Sequence, residues 1–274
     1  MSIFKYHLKI IRYKRRRAKE LNSLDYGEEE DQYFLVSYPK SGNTWVRVLI
    51  ANLLNDDPEK EIAFHNVGEF IPDSHNPRQR AYIKGEEPGF SDQPIQVVKS
   101  HDRYKKHFKN KKVMYLVRSG GNVISSFYHY LNARSEAGVS FKDIIQGRAS
   151  HSFGGWFSHV SKWISANNKK ILFIQYEKMR QHPQKELMKV ASFLRLETTP
   201  EKVSGAIARS SFDRMKQLEE KYGYFNDNRT KDGKSTPFVR KGSTQKENSE
   251  IPENLVGTIK AQQERVDKKL QELK

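Results

Sequence analysis

Apolar residues in this chain come in short runs, and each run ends at a polar cluster. Phe34–Val36 leads into Pro39-Lys40-Ser41-Gly42-Asn43-Thr44, after which Val46, Leu49, Ile50, Leu53 and Leu54 recur at helical spacing. Ile95–Val98 leads to Lys99-Ser100-His101. Lys112–Val117 ends at Arg118, and Lys170–Gln175 is followed by Tyr176. These runs predict buried strands. Helical periodicity predicts helices over Val123–Ala133, Phe153–Asn167, Lys185–Leu194, Glu201–Arg209 and Leu255–Leu273. Ser119-Gly120-Gly121-Asn122 reads as a turn. Asp56–Gly89, with Pro58, Pro72, Pro77 and Pro88, reads as loop, and Glu220–Glu250 is polar and without periodicity. No segment repeats another. Strands alternating with helices predict an α/β fold, a parallel sheet with helices on both faces. Ligands of such sheets bind beyond the strand C-termini, where all the polar clusters fall.

Composition narrows the class. The chain has 274 residues, 36% hydrophobic and 30% charged, with no cysteine. That length suits one α/β domain with a real core. Disulfides, thiolate nucleophiles and cysteine-ligated metals are excluded. No apolar run approaches the roughly 20 residues that span a bilayer, and the N-terminus lacks the apolar core of a secretory signal. A cytoplasmic, soluble enzyme is the expectation. The net charge of +16 suits nucleic acid, an anionic membrane or a small polyanion. Much of it sits in residues 1–20, where Lys5, Lys9, Arg12, Lys14, Arg15, Arg16, Arg17 and Lys19 face one acid, Glu20. Phe4, Leu8 and Ile11 would form an apolar stripe if this arm is helical. Residues 1–26 therefore read as a basic amphipathic arm able to touch an anionic membrane, or to pack on the domain. Residues 27–274 read as a single domain.

The first cluster carries the strongest chemistry. A strand, a small-residue turn and a helix build an anion cradle, because the first amides of a helix lack intrahelical partners and the dipole adds positive charge there. Gly42 allows close backbone approach, Lys40 supplies a point charge, and Ser41, Asn43 and Thr44 supply donors. The pattern is not the Gly-x-x-x-x-Gly-Lys-Ser/Thr loop of nucleotide triphosphatases, since the lysine precedes the glycine and the spacing is shorter. In the second cluster Lys99 and His101 stand two apart beyond a strand and point to one side. Histidine titrates near neutrality and can take a proton from an alcohol. In the third, Arg118 ends a strand and Ser126 lies about two helical turns on. Arginine suits phosphate because its fork binds two oxygens.

These clusters, in this order, resemble those of sulfotransferases that use 3′-phosphoadenosine-5′-phosphosulfate (PAPS), over about Tyr33–Leu273. The resemblance implies a P-loop-NTPase-like parallel sheet and a cytosolic-type sulfotransferase domain. It implies PAPS as donor, 3′,5′-ADP as product and no metal. It assigns His101 as catalytic base, Lys40 to the bridging oxygen and Lys99 to charge on the transferring group. Lys40, Ser41, Gly42, Asn43 and Thr44 would hold the 5′-phosphosulfate, and Arg118 with Ser126 the 3′-phosphate. Trp45 and Tyr176 would contact the adenine, while Ser210, Phe212 and Met215 would line the adenosine pocket. Arg240, Lys241 and Gly242 would close over the 3′-phosphate. Two segments depart from the family pattern. Ser119–Asn122 replaces an Asn/Asp-Pro-Arg/Lys-Asp turn, and Gln245 and Glu247 stand where a glycine and a tryptophan would fall.

Two other readings stay open from the residues. A P-loop kinase would share the strand–cradle–helix start, but would carry a Gly-Lys-Ser/Thr triplet and a magnesium-binding aspartate at a strand end. A nucleic-acid-binding protein would explain the charge but not the ordered clusters, so no nucleic-acid partner is expected. The acceptor would be a small molecule, a sugar or a glycolipid. Candidate acceptor-facing residues include Phe64, His65, Phe70, His75, Tyr82, Tyr130, His151, Phe153, Tyr222, Tyr224 and Phe225. The family's short dimerisation motif is not evident in Ser249–Ile259, so the oligomeric state is open.

Overall fold

A computed structural model describes residues 32–57, 59–90, 93–133, 138–149, 152–166, 168–223 and 250–273. The basic arm and the Arg240–Gly242 segment, like His151, Tyr224 and Phe225, lie outside the described residues.

Four parallel strands form the sheet: β1 (Gln32–Ser37), β2 (Gln96–Ser100), β3 (Lys112–Val117) and β4 (Ile171–Gln175), in the order β2-β1-β3-β4. Phe34 pairs with Val98 on one side and with Val113 on the other. The central strands are buried on both faces, which is why their sequences are apolar without alternation. Side chains nevertheless alternate between two cores. Tyr33, Leu35, Met114 and Leu116 join one, whereas Phe34, Val36, Val113, Tyr115 and Val117 join the other.

The first core is covered by α1 (Asn43–Leu54), whose Val46, Leu49, Ile50 and Leu53 are fully buried. Truncating Leu49, Ile50 or Leu53 to alanine is expected to cost about 2–5 kcal/mol. Two short single-turn helices, α2 (Val67–Phe70) and α3 (Arg80–Ile83), follow. The opposite face carries α4 (Gly120–Asn132), α5 (Phe141–Ile145) and α6 (Trp156–Ile164). Then come α7 (Tyr176–Gln181), α8 (Pro183–Phe193), α9 (Pro200–Arg209) and α10 (Phe212–Tyr222), with α8 and α9 on the α1 side. The last helix, α11 (Glu253–Glu272), packs on α4 and α6.

Several boundaries differ from the sequence expectation. Ser119–Asn122 is not a flexible turn: Gly120 and Gly121 begin α4 itself. A Cβ on Gly120 would lie 2.6 Å from the Trp156 ring, and its amide donates to Gln263 Oε1 at 2.8 Å. The glycine there permits close packing. The expected loop 56–89 contains α2 and α3. The helix expected over Phe153–Asn167 is shorter, because Gly154 turns the chain at φ 69° just ahead of it. The segment after Ser210, read only as a motif, is helical, with Ser211 Oγ accepting the Arg214 N–H at its start. Among the described residues no helix is long and apolar enough to cross a membrane.

Candidate active site

The C-terminal ends of β1, β2 and β3 and the start of α7 open into one cavity of about 640 Å³. Of the residues singled out from the sequence, Lys40, Gly42, Asn43, Thr44, Trp45, Lys99, His101, Arg118, Ser126, Tyr176, Ser210, Phe212 and Met215 all line it. Ser41 is buried and stands off the cavity wall, its amide closing the turn onto the Tyr38 carbonyl at 3.3 Å.

The cradle has the backbone that its sequence demands. Gly42 sits at φ 89° at the head of α1, and a Cβ there would meet the Tyr176 ring at 2.3 Å. No side chain caps this helix and no acid stands in its first turn, so the N-terminal amides and the dipole keep their positive character. Lys40 holds a left-handed φ of 68°, and its carbonyl accepts from Arg118 Nη1 at 3.2 Å. The Lys40 ammonium lies 4.5 Å above the Tyr130 ring. The Arg118 guanidinium stacks 4.8 Å from the Tyr176 ring. Trp45 donates its indole N–H to the Ser210 carbonyl at 3.0 Å and meets Tyr176 edge-on. This end of the cavity thus combines cations with flat aromatic walls.

The other end is set by His101. Its Nδ1 lies 2.7 Å from the Ser37 carbonyl oxygen, which can only accept, so Nδ1 carries a proton and in the neutral ring Nε2 bears the lone pair. Asn43, expected as an anion donor, gives its side-chain amide to Ser37 Oγ at 3.1 Å. Lys99 belongs to β2 rather than to the turn beyond it. Its ammonium donates to Asp73 Oδ2 at 2.7 Å, with both side chains largely buried.

The sequence reading missed three supports. Arg47, an arginine in an otherwise apolar helix, is buried; its Nε donates to the Ile71 carbonyl at 2.5 Å and its Nη2 to Gln79 Oε1 at 2.7 Å. The same Gln79 oxygen accepts the Asp73 amide at 2.9 Å, so the cradle helix braces the loop that holds Lys99. The isolated charge in an apolar stripe was the available signal. Secondly, His159 is fully buried. Its Nε2 donates to the His101 carbonyl at 3.1 Å and its Nδ1 accepts from the Tyr115 hydroxyl at 2.7 Å. Burial lowers its pKa to about 4, and burial pushes the Tyr115 phenol well above its usual range, so both stay neutral. Thirdly, Trp163 donates its indole N–H to the next carbonyl, that of Asp102, at 3.1 Å. Helix α6 therefore grips two successive carbonyls of the turn that carries His101.

Aspartates also stand nearer the strand ends than the sequence suggested. Asp73 is bridged to Lys99, and Asp102, two residues beyond β2, takes Ser100 Oγ at 3.2 Å and Lys105 at 3.3 Å. Among the described residues no group of three or more His, Asp or Glu could hold a metal ion.

The sulfotransferase domain model matches residues 30–274. Sulfotransferase 1B1 of Mus musculus is 28% identical over 218 residues, covering 76% of this chain and 73% of the relative. Sulfotransferase 2B1 of Homo sapiens is 30% identical over 207 residues, 68% of this chain and 52% of the relative. Among solved structures, mouse sulfotransferase SULT7A1 complexed with PAP has a TM-score of 0.63 at 23% identity, over 89% of this chain and 87% of that one. Retinol dehydratase in complex with androsterone and inactive cofactor PAP has a TM-score of 0.62 at 18% identity, over 92% and 85%. At such identities the likeness is one of fold.

Proposed function

The chain belongs to the sulfotransferase domain family, and on that premise we propose that it moves the sulfuryl group of PAPS to a hydroxyl or amine of a small acceptor. The observation that carries this reading is the single cavity in which an uncapped helix N-terminus with Lys40, an Arg118 stacked on Tyr176, and a histidine whose Nδ1 is turned to the Ser37 carbonyl all meet.

The residues present fit such a donor. Lys40 and the α1 amides, with Thr44, suit a phosphosulfate. Arg118 and Ser126 suit the 3′-phosphate, and Trp45, Tyr176, Phe212 and Met215 offer apolar surface to an adenosine. Bound PAPS would supply an activated sulfuryl group. The protein's own work is then positioning and charge neutralisation. His101 Nε2 accepts the acceptor's proton, and the Ser37 carbonyl steadies the imidazolium through Nδ1–H. An in-line displacement needs a cation where the departing phosphate gains charge, the part given to Lys40. Lys99, held by Asp73, supplies a second cation at a fixed place. With two lysines and a helix N-terminus so arranged, no metal is needed in this scheme.

Calorimetric titration with 3′,5′-ADP, against 5′-ADP and ATP–Mg²⁺, tests it in the natural protein and in Lys40→Ala. Metal-independent binding at micromolar or tighter affinity, requiring the 3′-phosphate and weakened by the substitution, is the expected result. Binding indifferent to the 3′-phosphate would overturn the reading.

A further inference from the structure

The ring that meets Lys40 comes from a distant element. Helix α4 contributes Ser126, Phe127 and Tyr130 to the cavity wall. Spacings of three and four residues place Phe127 and Ser126 beside Tyr130 on one helix face, and the Phe127 and Tyr130 rings stack at 6.3 Å. The Lys40 ammonium lies 4.5 Å from the Tyr130 centroid, inside the roughly 6 Å over which a ring face attracts a cation. Tyr130 is 37% exposed, so the core does not depend on its ring.

Lys40 is thereby held at two points. A side chain on a left-handed backbone is costly, and such a conformation persists where the surroundings over-determine it. Here the end of β3 secures the backbone, since Arg118 Nη1 donates to the Lys40 carbonyl at 3.2 Å. The face of Tyr130 secures the other end, the ammonium. A lysine side chain is rich in rotamers and loses that freedom when it meets an anion. A partner that already restricts it reduces this loss at the moment of binding.

We propose that Tyr130 is a positioning residue for the donor: its ring holds the Lys40 ammonium at the cradle before the donor arrives, so that the 5′-phosphate end meets a cation already in place. This rests on the sulfotransferase reading, which gives Lys40 its role. The attraction comes from the negative face of the ring and not from the hydroxyl. Phenylalanine should therefore serve as well as tyrosine. A ring of the same shape whose face has lost its negative charge should not.

The test is calorimetric titration with 3′,5′-ADP of the natural protein, of Tyr130→Phe, of Tyr130→Leu and of protein carrying 3,4,5-trifluorophenylalanine in place of Tyr130, each with and without Lys40→Ala. Tyr130→Phe is expected to bind like the natural protein. Tyr130→Leu and the trifluorinated ring are expected to bind about two- to fivefold more weakly. In the Lys40→Ala background all four side chains at 130 are expected to bind alike, because the coupled partner is gone. A trifluorinated ring that binds as tightly as Tyr130→Phe overturns the inference, and so does a loss that persists in full without Lys40, which would make Tyr130 a plain wall residue. Tighter binding once the ring is removed also overturns it. The Phe and trifluorinated rings have nearly one shape, so this pair decides the matter even if Tyr130→Leu disturbs the fold. A natural protein that does not bind 3′,5′-ADP would bring down the sulfotransferase reading and this inference with it, whereas binding without the coupling brings down the inference alone.

Discussion

The two ends of the cavity are built by different means. The turn at the cradle end is made by adjacent residues: β1, the Lys40–Gly42 turn and the first turn of α1, with φ 68° at Lys40 and φ 89° at Gly42, while Arg118 and Tyr176 close on it from the end of β3 and the start of α7. The His101 end is made by residues far apart in sequence. His101 is oriented by Ser37, its backbone and that of Asp102 are held by His159 and Trp163, and Lys99 is fixed by Asp73, whose amide meets the Gln79 oxygen that Arg47 also holds. Local geometry suffices to turn the backbone at the head of α1, whereas orienting the His101 ring takes a tertiary network. The two ends should therefore fail separately.

The sharpest separation comes from His101→Ala. Turnover is expected to fall by about 10²–10⁴, with 3′,5′-ADP affinity within about twofold of the natural protein in a calorimetric titration. Turnover like that of the natural protein would remove His101 from the chemistry and erase the distinction between the ends.

Acid should strike the His101 end first. His159 has its pKa lowered by burial to about 4, below the ordinary histidine value of 6.5. The unfolded chain thus binds the proton more readily, so the stability contributed is full above about pH 6.5 and is lost as pH falls towards 4. The loss through this one ring is about 3 kcal/mol. Urea unfolding at pH 7 and pH 4 should show a smaller acid loss in His159→Phe than in the natural protein. Equal losses would mean that the ring is not held neutral.

Arg118→Ala attacks the other end. Hydrogen bonds to a charged group are worth about 1.5–3 kcal/mol, so 3′,5′-ADP should bind about 10–100-fold more weakly while 5′-ADP changes little. An unchanged dissociation constant would take Arg118 out of the donor site. Gly42→Ala is the mildest of the four. A side chain at a left-handed φ costs about 1–2 kcal/mol, and the Tyr176 ring must also move. Roughly tenfold weaker 3′,5′-ADP binding is expected, and affinity equal to that of the natural protein would mean that the cradle tolerates a Cβ.

The same contrast explains what could be read beforehand. The cradle, the strand-end Arg118 and the aromatic Trp45 and Tyr176 were legible because a strand, a turn and a helix follow each other in the sequence and each obeys local rules. Asp73, Arg47 and His159 were not, since each acts through a partner 26 to 58 residues away. Gly120 misled for a related reason. A glycine pair reads as a turn, but the packing of Trp156 across the helix decided that it begins one.

The amino-acid sequence alone determined the α/β order of elements, the parallel sheet and the glycine turn at the head of α1, because apolar runs, helical spacing and glycine conformational preference are properties of neighbouring residues. Only the tertiary structure decided which nitrogen of His101 meets the Ser37 carbonyl, that Lys99 is held by Asp73, and that His75 stands beside His101. Those facts depend on which distant groups the sheet brings within hydrogen-bonding distance, and no short stretch of sequence contains that information.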